Sequence, residues 1–296
     1  NLALNYQNQG QYDKAEPLYL RALKIDEKND DPKISLVINN LALNYQNQGQ
    51  YDKAEPLYLR ALSISEKVFG PEHPDNATPL NNLANLYDEQ GLYSKAEPLY
   101  LRALSINEEI FGDEHPDTAT YLNNLALNYS FQGLYVKAIP LMFRAIKGEI
   151  SLIQRESPYL PLIDREAFVS KFKDSYLTSF DFVSRGNSGI ELALYARLNR
   201  HGLLEEIEGR QAKLAKLEGP QQQIAAELKG VIQKLASSVL KDKERGDLVK
   251  RKENLEKKLY RILPKLKPRL VTLEEVARSI PRNGILIEFQ RYWAFD

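Results

Sequence analysis

Two histidines, His73 and His115, occupy the same place in two copies of a connector, FGPEHPD from Phe69 and FGDEHPD from Phe111. Neutral imidazole is a common metal ligand, so a matched pair of histidines raises metal binding as a possible chemistry. Each follows a Glu and precedes a Pro, and no third ligand lies within a workable spacing, so the pair does not make a metal site. The third histidine, His201, stands in a turn between two helical patterns, and cysteine is absent. That absence excludes disulfides, thiolate zinc sites and cysteine nucleophiles, and a Ser or Thr would still need an oriented base. The sequence therefore assigns no catalytic residue, metal or cofactor. What recurs instead is amide chemistry: Asn39 with Asn40, Asn81 with Asn82, Asn123 with Asn124, and Asn85 one turn further on. Each amide carries two donors and an acceptor.

The elements that position these amides repeat. NLALNYQNQGQYDKAEPLYLRALKID from Asn1 returns as NLALNYQNQGQYDKAEPLYLRALSIS from Asn40, as NLANLYDEQGLYSKAEPLYLRALSIN from Asn82 and as NLALNYSFQGLYVKAIPLMFRAIKGE from Asn124. A period of 39, 42 and 42 residues marks an array of units, each too small to bury its own apolar face. Leu80, Leu83, Ala84 and Tyr87 share one helical face; Gly91 breaks the pattern, and Tyr93, Ala96, Tyr100, Ala103 and Leu104 form the stripe of a second helix. Ala42, Ala54, Ala61, Ala126, Ala138 and Ala145 repeat the small positions where helices approach closely. The repeated tyrosines (Tyr45, Tyr58, Tyr87, Tyr100, Tyr129 among them) read as packing residues between them. Pro17, Pro56, Pro98 and Pro140 fall inside the second helix of each unit, where proline costs ~3 kcal/mol or more. Four occurrences at one phase predict helices that continue through them.

The Leu-Ala, Tyr, Gly-x-Tyr, Ala and Tyr-x-x-Ala landmarks resemble the tetratricopeptide repeat (TPR) over residues 1–148. The 42-residue length and the FGPEHPD connector are similar to the kinesin-light-chain class of that repeat, from which the first connector, EKNDDPKIS, departs. The resemblance implies a right-handed α-solenoid whose first helices line a concave surface that holds an extended partner peptide. It places Asn39, Asn40, Asn81, Asn82, Asn85, Asn123 and Asn124 on or beside that surface. A ladder of amides there can bond a peptide backbone without reading its side chains; alternatively these asparagines cap or bridge neighbouring helices. Relatives that clamp a terminal carboxylate use Lys and Arg. At those phases this chain has Leu36, Asn39, Leu43, Thr78, Asn81 and Asn85, which argues against that partner class.

Beyond Gly148 the period is lost. Helices are expected at about 164–184, 189–199, 203–218, 221–243 and 247–263, with Gly219-Pro220 and Gly246 as breaks. Stripes at Ile224, Leu228, Val231, Leu235 and Val239, and at Leu248, Leu255, Leu259 and Ile262, predict an antiparallel hairpin with coiled-coil-like packing. Thr272-Leu-Glu-Glu275 is a capping box, and Ile285 to Tyr292 reads as a buried strand. The stretches IELALYARLNRHGLLEE, VTLEEVARSIPRNGILIEF and QRYWAFD resemble the N-terminal part of the CHAT domain, a caspase-like domain carried after TPR arrays in bacterial proteins. The similarity runs from about residue 160 to the end. It implies a catalytic His and Cys after the first strand, beyond Asp296, and His201 does not match that histidine. The expected organisation is a solenoid at 1–148 (four units, the first truncated), a connector at 149–202, a hairpin at 203–270 and the start of a CHAT-like domain at 271–296. The fold class is all-α with one terminal strand: seven or eight helices in the solenoid, at least four beyond it.

Forty basic and forty acidic residues balance to zero, which argues against a general nucleic-acid or membrane-surface binder. The balance is uneven, with 13 basic against 19 acidic residues in 1–148 and 27 against 21 in 149–296. No run approaches the ~20 apolar residues of a membrane span. A cytoplasmic setting fits the lack of cysteine. The chain starts within a repeat without Met, as an excerpt of a longer protein would. These features predict a non-catalytic scaffold for a protein or peptide partner. The alternative is the sensor portion of a caspase-like cysteine peptidase; a kinesin-light-chain-like cargo adaptor is less consistent with the tail.

Overall fold

Four helix pairs fill the first half of the chain: α1 (Leu2–Asn8) with α2 (Tyr12–Asn29), α3 (Ile34–Gln46) with α4 (Tyr51–Phe69), α5 (Ala77–Glu89) with α6 (Tyr93–Phe111), and α7 (Pro116–Phe131) with α8 (Tyr135–Glu156). The computed structural model describes residues 2–29, 34–111, 116–170, 172, 177–179, 181–200, 203–235, 242–264 and 270–279. Each pair closes through the same turn. The Gly49 N–H donates to the Gln46 carbonyl at 2.8 Å, and the Gln50 N–H reaches back to the Tyr45 carbonyl at 2.9 Å. This is the Schellman pattern, which needs a left-handed residue at its centre. Gly10, Gly49, Gly91 and Gly133 supply it, with φ between 69° and 74°.

Close approach of the helices rests on alanine. Ala15, Ala42, Ala54, Ala61, Ala84, Ala96, Ala103, Ala126, Ala138 and Ala145 are fully enclosed, each at 0% exposure. Pro17, Pro56, Pro98 and Pro140 lie inside α2, α4, α6 and α8, and each helix continues past its proline as expected. All four prolines face solvent. The connector between the second and third pairs is braced by Asn76, whose Nδ2 donates to the carbonyls of Gly70 and Pro71 at 2.7 and 3.0 Å. His73 stacks on Phe69 and accepts the Asp75 N–H, so it works as a turn residue. His115, His201 and residues 30–33 of the first connector lie outside the described residues.

The chain divides into two compact units, Asn1–Glu149 and Ile150–Asp296. In the second, α9 (Leu162–Ser170), α10 (Asn187–Arg200), α11 (Leu203–Ala215), α12 (Gly219–Leu235), α13 (Asp242–Ile262) and α14 (Leu273–Ser279) follow a 3₁₀ turn at Ser157–Tyr159. Leu228, Val231 and Ile232 of α12 pack with Leu255 and Leu259 of α13, and Tyr159 and Leu160 share this core. The expected stripes are thus only partly a two-helix seam, and Ile262 is 44% exposed. Arg155 with Glu256, and Glu156 with Lys252, form ion pairs at 3.3 and 2.5 Å.

Three expectations are corrected or fall elsewhere. The helix expected over 164–184 ends at Ser170, whose Oγ bonds back to the Ala167 carbonyl while the Phe172 N–H takes the tighter bond to Val169. A 3₁₀ turn at Val183–Arg185 then leads into α10. A Cβ at Gly189 would stand 1.8 Å from the Phe182 carbonyl oxygen, so only glycine permits this turn to close over buried Phe182. Gly246 is no break: it lies inside α13, where its propensity cost of ~1 kcal/mol is outweighed by burial of Leu255 and Leu259. The terminal strand, expected from Ile285 to Tyr292, lies outside the described residues, and no strand occurs among those described.

Candidate functional site

The paired asparagines fall on α3, α5 and α7, the first helices of successive units. Asn82 donates its Nδ2–H to Asn39 Oδ1 at 3.3 Å, and Asn124 donates to Asn81 Oδ1 at 2.9 Å. Asn39 and Asn81 are buried, at 3% and 6% exposure, because their amides are the acceptors of this inter-unit bridge. Asn40, Asn82 and Asn124 are half-buried. Asn82 and Asn124 each spend one donor on the preceding unit, and no further side-chain bond of theirs occurs among the described residues. Asn85 Oδ1 accepts from the Tyr100 hydroxyl at 2.5 Å, and Asn123 donates to Glu149 at 3.2 Å. The structure thus joins six of the seven residues to packing partners and leaves Asn40 without a hydrogen bond among the described residues.

A second set of polar contacts escaped the sequence reading. Tyr45, Tyr87 and Tyr129 each donate their hydroxyl across the unit boundary to Glu16, Glu55 and Glu97, at 2.8, 2.8 and 2.7 Å. Lys53, Lys95 and Lys137 lie over the same three rings, 4.7 to 5.2 Å from the centroids. Burial first, then the carboxylate hydrogen bond, pushes each of these hydroxyls up to about 12. Asn44 and Asn128, both fully buried, add bonds to the carbonyls of Tyr12 and Tyr93 at the start of the preceding second helix. The signal was present: the Glu of each KAEP stretch stands 29 or 32 residues ahead of the tyrosine it meets.

Within a unit the tyrosine of the second helix also has a fixed partner. Tyr19 donates to Gln7 and Tyr58 to Gln46, at 2.6 and 2.7 Å, and the Tyr100 hydroxyl, whose one hydrogen Asn85 and Asp88 share, lies 3.0 Å from Asp88. In the fourth unit Met142, buried at 0%, replaces the tyrosine, and Ser130 stands where the acceptor would be. Losing the hydroxyl and the large acceptor together leaves no buried polar atom stranded. Burial raises the Asp88 carboxyl above its usual range, against the lowering effect of bonds from Asn128 and Tyr100.

Among the described residues there is no cluster of three metal-ligating side chains, and no helix is long and apolar enough to cross a membrane. The arrangement offers hydrogen-bond donors and acceptors along one row of helices.

The tetratricopeptide repeat family models match residues 1–29, 33–109 and 89–147. No curated protein matches the chain. Among solved structures, the chain is similar to BtubC (BKLC) from P. vanneervenii, at 22% identity over 74% of this chain and 80% of that one, with a TM-score of 0.47. It is also similar to a Podosopora anserina protein described as a kinesin light chain with nearly identical TPR-like repeats, at 23% identity over 73% and 94% of the two chains and a TM-score of 0.47. A variant of that protein matches at 22% identity over the same shares, with a TM-score of 0.48.

Proposed function

With residues 1–147 built of tetratricopeptide repeats, generally a protein-interaction scaffold, we propose that this chain is a non-catalytic scaffold whose first helices hold an extended peptide or partner segment on a concave face. The observation that carries the reading is the bridged amide row. Asn39 and Asn81 fix the orientation of Asn82 and Asn124, which keep an acceptor and a donor for a peptide group. Asn40 presents in the same row an amide with no hydrogen bond among the described residues, while Asn85 and Asn123 are oriented by Tyr100 and Glu149. Such a row matches the donor and acceptor of a backbone and is indifferent to side-chain charge, which suits a cytoplasmic protein partner rather than nucleic acid or a membrane.

The test uses peptides selected from a displayed library against the full chain. In the double variant Asn82→Ala, Asn124→Ala, each lost bond costs about 0.5–1.5 kcal/mol, so affinity falls several-fold to a hundredfold with helicity unchanged. Equal affinity for the double variant leaves these residues as bridges between helices only.

A second reading concerns the end of the chain. The sequence similarity over 160–296 to the CHAT domain supports a regulatory segment ahead of a caspase-like peptidase. Within the matched stretch VTLEEVARS, Glu275 accepts from the Thr272 N–H at 2.9 Å and its own N–H donates to Thr272 Oγ1 at 3.2 Å, a capping box that opens α14. A parent polypeptide lacking a His and a Cys after Asp296 would remove this reading.

A further inference from the structure

One stripe of α5 stays open: Thr78, Asn82, Asn85 and Glu89, at spacings of four, three and four. Of the residues between them, all but Asp88 are buried, and α3 and α7 are open at the same phases. Within the stripes the amide position is constant, as Asn40, Asn82 and Asn124, whereas the turn end differs from unit to unit. Asn47, Glu89 and Phe131 stand there, all exposed, and the Phe131 ring stacks on Tyr93 at 5.7 Å. Glu89 is the last residue of α5, where the helix dipole disfavours an acid, so the helix itself does not call for it. Its carboxylate accepts from Gln46 at 2.8 Å, and Asp88 beside it meets Tyr100 and Asn128. These donors are neutral, and neither acid has an ion pair among the described residues. No Lys or Arg occurs in α1, α3, α5 or α7, so every charge on the first helices is negative.

Resting on the peptide-binding reading above, we propose that the partner is an extended segment in the polyproline II conformation. It sets a Lys or Arg over Glu89 and, three residues away, an apolar side chain over Phe131. Charge complementarity selects the cation, since the open face carries an uncancelled carboxylate and no base. The spacing selects the conformation. The Asn82–Asn39 and Asn124–Asn81 bonds hold neighbouring first helices side by side, about 8–10 Å apart as packed helices lie. A polyproline II helix returns to the same side every third residue, after about 9 Å, and its backbone groups are all free for the amides. Exposed aromatic rings such as Phe131 on Tyr93 are where segments of this kind seat their apolar side chains. The constant amides thus grip the backbone without reading charge, while the varied turn-end residues read the side chains.

The experiment titrates the full chain into dye-labelled, proline-based peptides in which one Lys and one Leu stand two, three or four residues apart. A matching series carries Glu in place of Lys. The three-residue spacing binds tightest, Glu for Lys weakens it about tenfold, and the difference shrinks as salt is added. Glu89→Lys reverses the preference, and Phe131→Ser removes the advantage of the three-residue spacing. Glu89→Gln, which keeps an acceptor for Gln46, abolishes the preference for Lys while the thermal midpoint stays level or rises. Equal binding of the two series, binding without spacing dependence, or no binding by either overturns the proposal. A lowered midpoint for Glu89→Gln with peptide binding unchanged assigns the carboxylate to packing and overturns it too. Library-selected peptides that still require Asn82 and Asn124 separate that failure from failure of the scaffold reading.

Discussion

Asn199 holds the backbone of Val271 from both sides. Its Nδ2 donates to the Val271 carbonyl at 2.9 Å, and its Oδ1 accepts the Val271 N–H at 2.7 Å. The amide substitutes for a strand neighbour: α10 fixes the approach of the chain to Thr272, where the capping box begins. Val271 is itself exposed, so water can replace what a truncated side chain withdraws. Asn199→Ala is therefore expected to cost about 1–2 kcal/mol, from the two bonds to Val271, together with its bond to the Tyr195 carbonyl within α10. Faster exchange confined to 270–279 is the accompanying signature, and unchanged exchange there would show that the clasp does not hold the segment.

The inter-unit tyrosines carry a pH signature. Their folded pKa is raised from the ordinary 10.0 to about 12, so their contribution is complete below pH 10 and is lost as pH rises from there toward 12. Alkaline unfolding of the solenoid should thus steepen across that window. Tyr87→Phe with Glu55→Gln, measured singly and together, should show a coupling of roughly 1 kcal/mol at neutral pH. A thermal denaturation series reads both, and strict additivity of the pair would contradict it.

Pro98 removes one backbone donor from α6 at an exposed position where its ring contacts solvent. Pro98→Ala restores a bond to the Ser94 carbonyl and should stabilise the protein by about 1–2 kcal/mol, the interior cost of ~3 less the entropy returned to the unfolded chain. A lowered thermal midpoint would show that the helix needs the bend that proline imposes.

Asp88 stands where the first two units use Gln7 and Gln46. Because burial raises its folded pKa, the stability it contributes is present at acid pH and is lost as pH rises through that value. Asp88→Asn should keep the bond from Asn128 to its oxygen, turn its Nδ2–H as donor to the Tyr100 hydroxyl, and remove the buried charge. The variant is expected to match or exceed the parent in thermal midpoint at pH 7 and to flatten the acid limb of its pH profile. A lower midpoint at pH 7 would mean that the carboxylate is worth more than its burial costs.

Short-range pattern and period made the solenoid legible. The enclosed alanines, the glycine turns and the tolerated prolines all recur at one phase, and recurrence separates rule from accident. Tyr45 and Glu16 were each visible as repeated residues, but their bond crosses a unit boundary, and periodicity alone does not say which face meets which neighbour. Asn39 and Asn82 share that difficulty: the same amide serves as bridge or ligand contact, and only the folded packing decides which donors are spent. In the second unit no repeat exists to average over. The end of α9 at Ser170 and the turn beneath Gly189 depend on a side-chain back-bond and a single close approach, neither of which leaves a periodic trace. Gly246 reads as a break on propensity alone, which takes no account of the buried leucines that follow it.

The pairing of each Glu with the tyrosine of the next unit has a consequence for how such a protein can change length. Glu16 meets Tyr45 through residues that Glu55 and Tyr87 duplicate, so excising or duplicating one whole period among the first three units leaves a Glu–Tyr pair at every remaining boundary. An unequal exchange between the near-identical stretches at Asn1 and Asn40 thus preserves that pairing. After the fourth unit the same edit fails, because Ile139 and Met142 no longer speak to an incoming copy. Copy number is free at one end of the array and fixed at the other.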